Sequence, residues 1–452
     1  MPASLPELEF EDQTVGDLTI TRYAQGTNGL VYVQAVAPVP QLDDHSLALL
    51  PTYTNLLTEL GLGDTDYLET QHRQSASVGS INAFLSMRGS VDDEQSLQAN
   101  MVLSSKALAR HTNEQSRLLR DTLQSVRFDE HARIRDIVSQ QRARRDQSVT
   151  GNGHGLAMSA ASAGMSPLAR LNHQLSGMAG IKSLRVLDES LRDDQAAADF
   201  AERLQVLHNT MLGQPTRLLA IAEKDRLDGV CTQLAQDWQA LVPGSAGDTF
   251  TATPVRERVL EMWITNTQVN FSARAYPTVP VGHVDAAALT ILGGFLRNGF
   301  LHRAIREQGG AYGGGASQDS GIAAFRFYSY RDPRLEETLS DFDASVSWML
   351  EEQHDQRPLE EAILGVIGSL DKPSSPAGEA KQHFHNRLFG RTHEQREEFR
   401  QRILDVTLDD LRRVAQTYLR PELASTAVIT NASQLDATAD LRDSLGLIVQ
   451  EL

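Results

Sequence analysis

The residues best suited to chemistry lie close together in Arg306-Glu-Gln-Gly-Gly-Ala-Tyr312-Gly-Gly-Gly. A guanidinium stays charged at any physiological pH and only donates hydrogen bonds, while a phenol donates through its hydroxyl. The pair suits a carbonyl oxygen on which negative charge builds during attack. The glycines around them, Gly309, Gly310, Gly313 and Gly314, let a bound peptide backbone approach closely. No other stretch completes a set of catalytic groups, so this segment reads as part of a site finished elsewhere.

The elements that must hold this pair can be read on either side. Leu289, Ile291, Leu292, Phe295 and Leu296 recur at helical spacing, and the helix they begin ends near Glu307, where Gly309-Gly310 lets the chain break. A strand follows, Gly321 to Tyr330, closed by Arg331-Asp-Pro333 in the manner of a hairpin. On residue type alone, plainer roles are open: Arg306 as a surface residue paired with Glu307 or Asp319, Tyr312 as a core aromatic. The glycine run does not fit phosphate binding. No Lys-Ser or Lys-Thr follows it, and it comes after a helix and before a strand.

The chain repeats itself. Leu30 to Val36, then Val39-Pro40, Asp43-Asp44-His45 and an apolar helix through Leu47, Leu50 and Leu57, return as Val269 to Ala275, Val279-Pro280, His283-Val-Asp285 and the helix through Leu289. The offset is about 241 residues, and it falls to about 208 between Arg217–Leu227 and Ser425–Leu435. The first copy is therefore longer, and the extra residues are expected between Ser148 and Lys182. There Leu156, Met158, Met165, Leu168, Leu171 and Leu175 predict packed helices. Long helices are expected over Gln115–Ala143 and Glu336–Glu352. Val242 to Pro254, with Pro, Gly and Ser and no periodicity, marks a linker. The expected architecture is α+β: two tandem homologous domains, residues 1–245 and 250–452, each a mainly antiparallel sheet packed with helices.

Bulk properties narrow the function. A chain of 452 residues exceeds one ordinary core. Its net charge of −17 argues against nucleic acid as a partner, because phosphate neutralisation needs a basic face. No apolar run is long enough to span a bilayer, and the N-terminal residues lack the basic and apolar regions of a secretory signal. The single cysteine, Cys231, lies among Leu227, Val230 and Leu234 and reads as a buried structural thiol, which suits a reducing compartment. The cytoplasm is the expected location, or an organellar matrix if the chain is part of a longer precursor. Arg142, Arg144 and Arg145 read as a solvated cluster near a helix end.

A zinc peptidase of the inverted type needs two histidines at i and i+4 with a glutamate between them. None of the thirteen histidines satisfies this. Arg127-Phe-Asp-Glu130-His131 puts a guanidinium where the first imidazole belongs, and His111-Thr-Asn-Glu114-Gln115 ends in an amide. His383 and His385 are two apart and would face different sides of a helix. No metal ligand is assigned.

The segment from Phe300 to Ala316, with Phe327-Tyr-Ser-Tyr-Arg-Asp-Pro333, resembles the C-terminal half of presequence-protease-like zinc peptidases. These form part of the inverted-motif M16 family, with insulin-degrading enzyme and pitrilysin. The resemblance covers essentially the whole chain. It implies two homologous halves closing around a chamber, with His-x-x-Glu-His and zinc on the N-terminal half. It further implies that Arg306 and Tyr312 reach the substrate from this half, and that the helix matching the catalytic one carries Thr52-Tyr-Thr-Asn55-Leu56 without an imidazole. The partners expected are that N-terminal half, on the same polypeptide or another, and unfolded peptides, with no nucleic acid and no membrane. No cofactor is expected in this chain, zinc in the complete enzyme, and no activity in isolation. The other reading is a noncatalytic scaffold or peptide-binding paralogue of the same fold.

Overall fold

The computed structural model describes residues 8–239 and 248–452. The first copy runs β1 (Glu11–Val15), β2 (Leu18–Ala24), β3 (Leu30–Pro38), α1 (Asp44–Leu57), α2 (Tyr67–Ser77), β4 (Ser80–Gly89) and β5 (Leu97–Leu108). Helices follow: α3 (Thr112–Gln124), α4 (His131–Gly151), α5 (Gly153–Ser162), α6 (Pro167–Ser176), α7 (Met178–Ser190) and α8 (Asp194–Leu212). β6 (Arg217–Ala222) and α9 (Lys224–Trp238) close it. The second copy begins with β7 (Leu260–Ile264), β8 (Phe271–Pro277) and α10 (Ala286–Leu296), which passes without a break into a π-helix over Arg297–Gln308. Then come β9 (Gly313–Asp319), β10 (Ala324–Tyr330), α11 (Glu336–Glu351), α12 (Gln356–Leu370), α13 (Pro376–Leu388), α14 (His393–Leu404) and α15 (Leu408–Tyr418). The last strands are β11 (Ser425–Thr430) and β12 (Ile448–Glu451).

The two six-stranded sheets have the orders β1-β2-β6-β3-β5-β4 and β12-β7-β11-β8-β10-β9. Five strands correspond in place and sequence order; only the outermost, β1 and β12, come from opposite ends of their copies. Most pairing is antiparallel, while β2–β6, β7–β11 and β7–β12 are parallel. The repeat seen in the sequence is thus a repeat of topology.

Three expectations need adjustment. Residues 115–143 are not one helix. Between α3 and α4 the chain leaves helical geometry so that Val126 can bridge Leu62 and Arg127 N–H can reach the Gly61 carbonyl. The length difference between copies is not confined to 148–182 either. Val33 faces Ser105 across β3–β5, whereas Arg274 faces Phe327 across β8–β10, so the first copy is already longer there. Residues 148–182 do form helices, with Leu156, Met165, Leu168 and Leu171 buried. Of the linker, residues 240–247 lie outside the described residues; Asp248 and Phe250 hydrogen-bond Gln41 and Val39 beyond β3.

Each copy covers a face of the other's sheet. α5 lies on β8, β10 and β11, and the core it joins holds Ala157, Ala160, Phe271, Ala273 and Ile429 together. Reciprocally, Ala377, Ala380 and Phe384 of α13 pack with Tyr23, Val36, Val102 and Ile221 of the first sheet. Cys231 is buried, and burial pushes its thiol up to about 11, away from nucleophilic reactivity.

Candidate functional site

Arg306 and Tyr312 are brought together by the end of the π-helix and the start of β9. Gly310 takes a left-handed conformation, φ 79°, and the Ala311 N–H returns to the Ile305 carbonyl at 3.1 Å. This turn aims the chain into β9, where the Tyr312 N–H meets the Arg331 carbonyl at 3.3 Å. The Arg306 guanidinium carbon stands 5.9 Å from the centre of the Tyr312 ring. Tyr312 is 66% exposed and Arg306 is exposed, so both present their donors to solvent. The carboxylates that could have claimed Arg306 are engaged elsewhere: Glu307 with His302, Asp319 with Arg326. Tyr312 is accordingly no core aromatic, and Arg306 has no ion pair among the described residues.

The glycines divide. A side chain on Gly309 would strike the Arg334 guanidinium, and one on Gly314 would strike Ile305, so internal packing explains both. Gly310 is explained by its φ. Gly313 faces open space, so its missing side chain leaves room beside Tyr312. β9 is also the terminal strand of its sheet, which leaves one row of backbone groups without a strand partner.

Other side chains join the pair that sequence reasoning did not place there. The Tyr330 ring packs edge-on against Tyr312 at 5.6 Å, and the Arg331 guanidinium lies 5.4 Å from the Tyr330 ring. Arg331 holds φ 50°, a left-handed geometry uncommon outside glycine. His154, from α5 of the first copy, stacks 4.8 Å from Tyr330, and burial lowers its affinity for a proton. The only sequence signal for this cluster was the Tyr-Ser-Tyr-Arg-Asp-Pro turn; His154 had none, because its approach depends on α5 crossing between the copies.

The residues weighed as metal ligands have structural duties. Both Glu130 oxygens accept backbone N–H groups, from Gly61 at 2.6 Å and Tyr67 at 2.9 Å. Glu114 pairs with Arg73. His383 bonds the Tyr23 hydroxyl and His385 the Gln34 amide oxygen, each at 2.8 Å. On α1, Tyr53 is buried and bonds His208 at 2.9 Å, in place of anything that would bind zinc. Among the described residues no group of three His, Cys, Asp or Glu side chains could hold a metal, so these residues do not fit a zinc site of the chain's own.

Comparison with known proteins agrees with this architecture. The family described as associated with subfamily C of the M16 peptidases matches residues 2–187, and the PreP C-terminal domain matches residues 260–431. The mitochondrial presequence protease of Yarrowia lipolytica is 28% identical over 422 residues, covering 93% of this chain and 42% of that protein. That of Danio rerio is 28% identical over 436 residues, covering 92% and 42%. The chain thus spans about two-fifths of the length of these curated relatives. Among solved structures, a conserved protein from Enterococcus faecalis V583 superposes with a TM-score of 0.69 at 14% identity, covering 94% of this chain and 99% of the other. A peptidase M16 inactive domain from Pseudomonas fluorescens gives 0.65 at 14%, covering 94% and 98%. The chain belongs to subfamily C of the M16 peptidase family and carries its presequence-protease C-terminal domain.

Proposed function

We propose that this chain is the noncatalytic half of a zinc-dependent metalloendopeptidase that degrades oligopeptides. It closes a chamber against an N-terminal half bearing His-x-x-Glu-His and supplies Arg306 and Tyr312 to the substrate. The supporting observation is the pair itself: two neighbouring donors, exposed and without carboxylate partners among the described residues, on a terminal strand inside the matched C-terminal domain. The described residues assemble no zinc site, so the chain's own contribution is confined to holding the peptide and stabilising charge. A guanidinium and a phenol directed at one carbonyl oxygen favour the state in which that oxygen is most negative. Closure of a second half would remove water around them and strengthen both interactions. Unfolded peptides fit such a site, because an extended backbone can run along β9 past Gly313. Since the relatives' names place those proteins in mitochondria, an organellar matrix is as suitable a location as the cytoplasm.

The test is reconstitution with a His-x-x-Glu-His half. The mixture should hydrolyse peptides. Arg306→Ala and Tyr312→Phe should each lower turnover on the order of 100-fold or more without shifting the melting temperature. An active mixture indifferent to both substitutions would show that the assigned roles are wrong. The structural duties of Glu114, Glu130, His383 and His385 favour one other reading, a peptide-binding scaffold. That reading predicts peptide binding with no activity alongside any complementing half.

A further inference from the structure

Two adjoining cavities lie where α1 passes the edge strand β4. One, of about 410 Å³, is lined by Asn55 of α1, by Ala83, Phe84 and Leu85 of β4, and by Gln141 and Arg145 of α4. The other, of about 320 Å³, shares Gln141 and Arg145 and continues along α7. Consecutive residues of a strand point to opposite faces, so Ala83, Phe84 and Leu85 can line one cavity only through the strand's edge. β4 is the last strand of its sheet, and that edge carries backbone donors and acceptors with no strand partner.

The polar groups in the lining are complementary to a peptide. Asn55 Nδ2, a donor, and Gln141 Oε1, an acceptor, are both shielded from solvent and have no hydrogen-bond partner among the described residues. A peptide group offers the matching acceptor and donor. Arg145 is half-buried, and its guanidinium reaches the Ser176 carbonyl at 3.4 Å. Its neighbour Arg142 pairs with Asp188 and Asp146, yet no carboxylate among the described residues pairs with Arg145. No aspartate or glutamate among the described residues lines either cavity, while Arg203 and His45 stand in the second. In a chain of net charge −17 this is a local reversal of sign. A half-buried cation without a counter-charge costs stability, and burial holds the Arg145 guanidinium below its ordinary proton affinity.

We propose that this groove binds the carboxyl-terminal end of an extended peptide. The backbone lies along the free edge of β4, a peptide group spans Asn55 and Gln141, and the terminal carboxylate pairs with Arg145. Phe84, 40% exposed, and Leu175 offer apolar surface to the last side chains. The proposal rests on the reading that this chain handles peptides, but it uses the first copy alone and needs no second half. Failure here leaves reconstituted peptidase activity untouched, and failure of reconstitution leaves this binding measurable.

The experiment is fluorescence anisotropy on the full chain, with an N-terminally labelled unstructured peptide ending in a free carboxylate or in a carboxamide. The carboxamide should bind about tenfold more weakly, the scale of one charge-assisted hydrogen bond. Arg145→Gln should weaken the free-acid peptide by a similar factor and erase the difference between the two; Arg145→Lys should keep part of it. Asn55→Leu with Gln141→Leu should weaken both peptides equally. Melting temperatures identify any variant that fails to fold, and Arg145→Lys then carries the test. Equal affinity of acid and amide forms for the unaltered chain overturns the proposal. So does a folded Arg145→Gln chain that keeps the preference. A peptide with an internal glutamate and an amidated end that binds as tightly as the free acid overturns the assignment to the terminus.

Discussion

The two copies treat the same junction, helix against terminal strand, in opposite ways. In the second, a side chain on Gly293 would lie 2.9 Å from the Ser317 Cα, so its absence lets α10 rest directly on β9. Nothing is left between them, and the chemistry sits at the outer end of the junction, on Arg306 and Tyr312. In the first, α1 carries Asn55 at the corresponding junction and leaves a cavity beside β4 with unpaired amide groups. Duplication preserved the topology. Packing at one interface decided whether a copy presents side chains from a closed surface or keeps an internal groove.

That comparison can be broken at several points. The largest effect is expected where the copies complete each other. Phe384, 1% exposed on α13, fills the face of the first sheet, and Phe384→Ala should destabilise by about 3–5 kcal/mol. Leu156→Ala on α5 should cost about 2–5 kcal/mol. In both variants calorimetry should show one transition, since each helix belongs to both copies; two separated transitions would mean that the copies unfold independently. A smaller effect is expected at the closed junction. Gly293→Ala must push α10 off β9 and should cost about 1–3 kcal/mol, read as a lowered midpoint in urea. An unchanged midpoint would mean that the close approach is not what distinguishes the second copy.

The smallest effect is a pH dependence. His173, His208 and His385 are buried, and burial lowers each to about 4, below the ordinary 6.5. Between these values the unfolded chain binds protons that the folded chain does not, so stability rises with pH. It should be level above about pH 6.5 and fall as pH drops from there toward 4. His385→Gln, at the contact of α13 with β3, should flatten part of that fall in urea titrations at pH 5 and 7.5. A slope identical to the unaltered chain's would place His385 outside the acid response.

Much of the fold could be read in the residues. β3, β8, α1 and α10 follow from runs of apolar residues at strand and helix spacing, and the duplication from their recurrence. The Arg306–Tyr312 segment stood out because its residue types and glycines are local properties. The break between α3 and α4 did not, because helical periodicity continues through it; the bonds of Glu130 to Gly61 and Tyr67 outweigh propensity there. Arg145 read as one of three solvated arginines. Yet α4 runs on to Gly151, so the cluster is not at a helix end, and Arg145 alone turns inward.

The sequence by itself determined which segments become strands and helices, that the set occurs twice, and which two side chains flank the glycine turn. All of these depend on contacts among residues near one another along the chain. Only the tertiary structure decided that α5 and α13 exchange places over the sheets, that His154 reaches Tyr330, and that one copy keeps a groove. Those outcomes depend on shape complementarity between residues hundreds of positions apart, which leaves no periodic trace in the order of amino acids.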